Sequence, residues 1–262
     1  MEKIINELIE TNNQVVLAGP PGTSKSYYAK KIAKDNYLPD NVLSIQFHPK
    51  YSYQDFVGGY IVKGSDVSYS DGVLFEMVEK AKSSTEEYLL IIDEINRANI
   101  GQVFGETIQC LDRNHSTNIL RDRQVSEFYL PKNLKIIATM NTADRSLGVM
   151  DYAIKRRFPT VYCPSEPDLV SDLCTQEIDQ SLGDFLRVLN KRLLATLKNK
   201  ELVIGHAFFL DESVLDNGTY HWRLHSLEML FNYKILPMIE DYTKGNQSQL
   251  IEVLGEDRKR HV

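Results

Sequence analysis

An α/β fold is predicted, with a parallel sheet flanked by helices and a small α-helical domain after it. Three features of the 262-residue chain point to it. The apolar run Val15-Val16-Leu17-Ala18 ends in Gly19-Pro20-Pro21-Gly22-Thr23-Ser24, and Lys25-Ser26 then opens a helical pattern. Two further runs, Tyr88–Ile92 and Leu134–Ala138, also lead into polar residues: Asp93-Glu94 after the first, Thr139 and Asn141 after the second. Apolar runs of this length read as strands buried on both faces, as parallel strands are. From about residue 165 the pattern becomes helical, so residues 1–164 are expected to form the α/β core and 165–262 a helical lid.

Composition excludes several function classes. The length suits one large or two small domains on a scale of about 150 residues each. A net charge of -6 argues against a chain that coats DNA over its whole surface. Cys110, Cys163 and Cys174 have no metal-type spacing and read as reduced thiols of a cytoplasmic protein. No run approaches the roughly 18 apolar residues of a membrane span. No repeat or low-complexity segment stands out.

In chain order, Ile4, Ile5, Leu8 and Ile9 mark one face of a first helix that leads directly into the Val15–Ala18 strand. The helix after the glycine-rich turn is expected to run to about Asp35. Val42–Phe47 is the next strand, ended by His48-Pro49. Tyr51–Ser70 reads as a hairpin or an irregular insertion whose Tyr51, Tyr53, Phe56 and Tyr60 either pack it or line a ligand site. Helices are expected over 72–82 and 100–111, and a hairpin over 118–130 with Arg121, Asp122 and Arg123 near its tip. That tip is either a solvated turn or a nucleic-acid contact. A short helix over 150–154 precedes Lys155-Arg156-Arg157-Phe158. In the lid, one amphipathic helix carries Phe185, Leu186, Val188, Leu189, Leu193, Leu194 and Leu197. Helices over 224–242 and 247–254 follow, the first reset or kinked at Pro237.

The strand-turn-helix at 15–35 has the order that a phosphate-binding loop requires. The backbone N–H groups of the turn and the N-terminus of the following helix face an anion. Candidate nucleotide-binding residues are Gly19, Pro20, Pro21, Gly22, Thr23, Ser24, Lys25, Ser26 and Tyr27. Lys25 would reach the β- and γ-phosphates, and Ser26 would ligate Mg²⁺. Ser24 stands where the pattern has glycine, so its Cβ is expected to crowd the loop. At the C-terminal end of the second strand, Asp93 would hold the Mg²⁺ hydration shell and Glu94 would polarise a water. Asn141, on a neighbouring strand, would orient that water. Arg156 and Arg157, at a helix end, either complement its dipole or reach a neighbouring subunit's γ-phosphate.

These motifs resemble AAA+ ring ATPases and, in detail, the McrB-like GTPase subunits of McrBC-type modification-dependent restriction systems. The resemblance rests on Gly19–Thr23, Gln46-Phe47-His48 with Tyr51–Phe56, Ile92–Asn99, Met140–Ser146, Asp151–Phe158, Ile204-Gly205-His206 and Ile235-Leu236-Pro237. It implies a homo-oligomeric, hexameric ring that hydrolyses GTP with Mg²⁺ and moves or remodels DNA for an McrC-like nuclease subunit. It also implies that Asn141 and Asp144 position water, and that Arg145, Arg156 or Arg157 acts on the neighbour's nucleotide. Nothing in the phosphate loop separates GTP from ATP; GTP follows from the 140–146 stretch alone. No N-terminal module that reads modified DNA is recognised, so DNA recognition is expected from another domain or subunit. Two other readings remain: an ATP-driven remodeller such as a MoxR-type chaperone, and a nucleotide-gated scaffold slowed by Ser24.

Overall fold

The computed structural model describes residues 1–64, 66–143, 152–175, 177 and 180–255. These divide into two compact units: Met1–Ala18 with Lys25–Tyr162, and Gly19–Ser24 with Cys163 onward.

The first unit is built on a five-stranded sheet. Helix α1 (Glu2–Asn12) buries Ile5 and Ile9 and ends at Asn13, in a left-handed conformation. Strand β1 (Gln14–Gly19) follows, buried along its whole length. Helix α2 (Lys25–Asn36) returns the chain to β2 (Val42–Gln46). A single-turn helix α3 (Tyr53–Phe56) leads into the hairpin β3 (Gly58–Lys63) and β4 (Asp66–Asp71), and α4 (Val73–Lys82) into β5 (Tyr88–Asp93). After α5 (Ile100–Phe104) come a second hairpin, β6 (Thr117–Arg121) and β7 (Gln124–Phe128), and then β8 (Leu134–Asn141). Helix α6 (Tyr152–Lys155) and β9 (Thr160–Tyr162) complete the unit. The strand order is β2-β5-β8-β1-β9, parallel at β2·β5, β5·β8 and β1·β9. The first strand is therefore an interior one, beside the edge strand β9, and the chain crosses to the far edge after it. Such a switch point opens a crevice at the C-terminal strand ends.

Of the aromatic residues in the 51–70 stretch, Tyr51, Tyr53 and Phe56 pack the fold, whereas Tyr60 is 38% exposed. Tyr51 stacks on Phe47 at 4.7 Å and the Tyr53 hydroxyl donates to Glu106 at 2.8 Å. The helix expected over 100–111 is α-helical only to Phe104. Gly105 takes a φ of 52° there, and the chain continues in 3-10 turns to Leu111. In the hairpin over 117–128, Asp122 and Arg123 both have positive φ, the geometry of a two-residue primed turn. Arg121 is not at the solvent-facing tip. Its Nε and Nη2 bond both oxygens of Asp71, at 2.8 and 2.6 Å, and its guanidinium lies 4.4 Å from the Phe75 ring centroid. Arg121 thus ties the two hairpins together.

In the second unit, Ser181 caps α7 (Leu182–Leu197) by accepting from the Asp184 N–H. The helix buries Leu182, Leu186, Leu189 and Leu193 against Val170, Phe209, Trp222 and Ile239. Val188 and Leu194, expected on this face, are about half exposed (53% and 48%). A minimal hairpin, β10 (Leu215–Asp216) and β11 (Thr219–Tyr220), turns at Asn217-Gly218. The long helix expected over 224–242 is interrupted. Helix α8 (Leu224–Leu230) widens into a π turn at Phe231–Ile235 before α9 (Leu236–Tyr242). Pro237 has no N–H to offer the preceding turn, and the wide turn absorbs the missing bond. Helix α10 (Gln247–Leu254) closes the unit. Among the described residues no helix is long and apolar enough to cross a membrane.

Arg121→Ala is expected to lower stability by about 1 kcal/mol, since a partly exposed bidentate pair with a cation–π contact contributes on that order. Urea denaturation measures the loss. Hydrogen exchange should speed up most at β3–β4 and β6–β7, and in the core strands β5 and β8 by no more than the roughly fivefold that a global loss of about 1 kcal/mol allows.

Candidate functional site

The polar ends of β5 and β8 meet because the strands are paired in register, Ile92 opposite Ala138. Alternation along β8 then places Thr139 and Asn141 on one face of the sheet. Asp93 Oδ1 accepts from the Ser26 hydroxyl at 3.0 Å and from the Thr139 hydroxyl. Thr139 Oγ1 in turn accepts the Glu94 N–H at 3.1 Å. Asn141 Nδ2 donates to Glu94 Oε1, and Arg97 Nε lies 3.6 Å from Glu94 Oε2. Asn96, buried, donates from its side-chain amide to the Asn141 carbonyl at 3.2 Å. The predicted residues Ser26, Asp93, Glu94 and Asn141 therefore form one hydrogen-bonded group. Lys25, also predicted, is buried at the start of α2, and Tyr27 is exposed.

Glu94 has a φ of 54° and a ψ of 46°, a left-handed conformation that costs a non-glycine residue about 1–2 kcal/mol. Backbone strain of this kind gathers at functional sites. The Thr139 hydroxyl holds the Glu94 backbone in place, and Asn141 aims the carboxylate. Ser26 Oγ and Asp93 Oδ1, two hard oxygens 3.0 Å apart, fit Mg²⁺. Cis ligands of an octahedral ion bonded at 2.0–2.1 Å stand about 2.9 Å apart.

The phosphate-loop residues before Lys25 belong to the second unit, where residues 205–208 brace them. The Thr23 hydroxyl donates to the Pro20 carbonyl at 2.8 Å. The Ala207 N–H donates to the Gly22 carbonyl at 2.9 Å. Gly22 has a φ of 71°, and a Cβ there would stand 2.6 Å from the Phe208 ring. Ser24 has a φ of 61°, which explains why the pattern has glycine: the obstacle to a side chain is conformational. Its Oγ lies 2.9 Å from Nε2 of His206, which is fully buried. His206 Nδ1 accepts the Glu166 N–H at 3.1 Å, so the ring proton is on Nε2 and is donated to Ser24. Burial pushes the His206 pKa below its ordinary value.

Of the predicted arginines, Arg157 is buried and engaged. Its Nε bonds Asp112 at 2.8 Å and its Nη1 the Ala153 carbonyl at 3.1 Å. Arg156 is exposed. Both line a cleft of about 660 Å³ with Asn13, Asp112, Arg113 and Lys135. Asn13 precedes β1, so this cleft lies at the N-terminal strand ends, opposite Asp93 and Asn141. Asp144 and Arg145 lie outside the described residues.

Sequence reasoning missed Thr139, Asn96, Arg97 and His206 as members of these networks. The period-2 signal at Thr139 and Asn141 was present in the sequence. The others depend on contacts between distant segments.

Residues 14–158 match the AAA domain of the dynein-related subfamily, and residues 181–250 match the McrB alpha-helical lid domain. The chain belongs to the AAA domain family, with a lid of the McrB kind. It is 34% identical to the type IV methyl-directed restriction enzyme EcoKMcrB subunit of Escherichia coli K12, over 92% of this chain and 56% of that one. It is 29% identical to the type II restriction enzyme BsuMI component YdiS of Bacillus subtilis 168, over 77% of this chain and 74% of that one. The chain thus spans little more than half the length of the E. coli subunit.

Arg157→Ala is expected to reduce unfolding free energy by about 1–3 kcal/mol, because it removes a charged hydrogen bond from a buried group. Arg156→Ala should change it by less than about 0.5 kcal/mol. Chemical denaturation of the two variants side by side measures the difference.

Proposed function

We propose that this chain is a nucleoside triphosphatase of the McrB kind, the motor of a restriction system. GTP is the favoured substrate, and turnover takes place in a homo-oligomeric, hexameric ring. Membership of the AAA family and the two restriction-enzyme relatives support the class of protein. The observation that carries the reading is the group at the ends of β5 and β8, where Ser26 and Thr139 share Asp93 and Asn141 orients Glu94.

In this reading the backbone N–H groups of Gly19–Ser24 and the Lys25 ammonium bind the phosphates. Ser26 and Asp93 hold Mg²⁺, which supplies charge neutralisation on the phosphate oxygens. Glu94 accepts the proton of the attacking water, and Asn141 keeps its carboxylate aimed. Arg97, on the other carboxylate oxygen, limits its rotation. Asp144 belongs to the same proposal on sequence alone. The partners proposed are an McrC-like nuclease subunit and DNA, the latter through another domain or subunit.

A charge acting on a neighbour's nucleotide has to be free of partners at home. Arg157 is committed to Asp112, while Arg156 is exposed on the opposite end of the sheet from its own subunit's carboxylates. Arg156 is therefore proposed as the residue that acts in trans, with Arg145 kept beside it on sequence alone.

Steady-state hydrolysis of GTP and ATP, at concentrations where rings form, tests the reading, with Lys25→Ala as the blank. Wild-type protein should turn over GTP in preference to ATP. Glu94→Gln should lose at least about a hundredfold in kcat, the size of a general-base contribution. Glu94→Gln turning over at the wild-type rate would remove Glu94 from the mechanism, and preference for ATP would favour the remodeller reading.

A mixing experiment tests the trans assignment. Arg156→Ala and Glu94→Gln proteins should each be inactive alone and partly active when mixed. Of the two kinds of mixed interface in such a ring, one pairs an intact Glu94 with a neighbour's intact Arg156 and the other pairs neither. Full activity of Arg156→Ala by itself would exclude that residue.

A further inference from the structure

We infer that His206 is a positioning residue for the nucleotide: through Ser24 it holds the phosphate loop in the shape that receives the triphosphate. The inference rests on the reading above that the loop binds a nucleoside triphosphate.

The argument starts from Ser24. The backbone there takes a φ of 61°, open to glycine and unfavourable for a residue with a Cβ. A serine left to itself would spend most of its time in other conformations, and the loop would lose its shape with it. What opposes this is the bond from His206 Nε2–H to Ser24 Oγ at 2.9 Å. The donor is fully buried and its tautomer is fixed from the other side by the Glu166 N–H on Nδ1. If Ser24 moved away, a buried N–H would lose its acceptor, and such a loss is costly. The imidazole therefore biases Ser24 toward the left-handed conformation.

The same segment grips the loop two residues earlier. The Ala207 N–H holds the Gly22 carbonyl at 2.9 Å, and Phe208 packs on Gly22. A trans peptide points its C=O and N–H in opposite directions. Tying the Gly22 carbonyl to Ala207 therefore turns the Thr23 N–H away from residues 205–208, toward the loop's other side. A Cβ at Gly205 would overlap the Gly22 carbonyl, so residue 205 is small where the two backbones meet. The serine in place of glycine and the buried histidine thus form a matched pair. The hydroxyl compensates for the conformational cost that its own Cβ introduces.

When only part of the unliganded population has the competent loop shape, apparent affinity falls by that fraction. Isothermal titration of the full chain with GMPPNP and with AMPPNP, each with Mg²⁺, reads this directly. Ser24→Ala keeps the Cβ and removes the acceptor, and should weaken binding about tenfold. Ser24→Gly removes both, and should stay within about threefold of wild type because the strain goes with the hydroxyl. His206→Leu should weaken binding about tenfold in the wild-type background and less than about threefold in the Ser24→Gly background. His206→Gln, which keeps an amide donor of similar reach, should recover most of the loss.

Thermal melts should show both Ser24 variants unfolding cooperatively, a few degrees below wild type because the buried His206 N–H loses its acceptor in each. An affinity difference between two variants of similar stability marks positioning rather than loss of fold. If His206→Leu does not fold, the Ser24→Ala and Ser24→Gly pair still decides the matter. Wild-type affinity in Ser24→Ala would overturn the inference. So would an equal loss from His206→Leu in both backgrounds, which would mark a purely structural histidine. Failure of wild-type protein to bind either analogue would instead overturn the nucleotide-binding reading, and this inference with it.

Discussion

One carboxylate oxygen organises the candidate site. Asp93 Oδ1 accepts hydroxyl hydrogen bonds from Ser26, at the start of α2, and from Thr139, on the neighbouring strand β8. Because Thr139 also accepts the Glu94 N–H, the same interaction fixes the backbone turn that presents Glu94. From there Asn141 and Arg97 set the direction of the Glu94 carboxylate. The parallel pairing of β5 with β8 makes the arrangement possible, since it brings two polar strand ends level at one edge of the sheet. Hydrogen bonds that accept on an ionised carboxylate are among the stronger ones in proteins, and shared networks of this kind rigidify the groups they join.

Two non-glycine residues of the proposed machinery, Ser24 and Glu94, have left-handed backbones. Each is held by a hydroxyl hydrogen bond to a residue far away in sequence: Glu94 N–H to Thr139, and His206 Nε2–H to the Ser24 hydroxyl. The strain and its compensation occur together in both units. This gives a physical reason for the departure from glycine at position 24. A serine is tolerable where a buried, tautomerically fixed donor waits for it, and unfavourable where none does.

The strands, the phosphate loop and the strand-end carboxylates were legible because each is a local pattern: an apolar run with polar termini. The AAA-type core and helical lid followed from the order of those patterns. What was not legible depended on non-local contacts. Arg121 reads as a basic hairpin tip, yet Asp71 and Phe75, some fifty residues earlier, draw it inward. Arg157 reads as a free charge beside Arg156, yet Asp112 captures it. The helix expected over 100–111 fails at Gly105, whose positive φ lies where a Cβ would meet Tyr53. The helix over 224–242 continues past Pro237 only by widening into a π turn. In each case a partner distant in sequence, or a single backbone constraint, overrode a correct local tendency.

The central claim is that Ser26 and Asp93 form a divalent-cation site that is completed by a nucleotide. Electron paramagnetic resonance with Mn²⁺ in place of Mg²⁺, titrated with and without GMPPNP, tests it most directly. The account predicts nucleotide-dependent Mn²⁺ binding in the wild-type chain, and its loss in Asp93→Asn with the fold intact. Mn²⁺ binding that is indifferent to the nucleotide, or unchanged in Asp93→Asn, would contradict it.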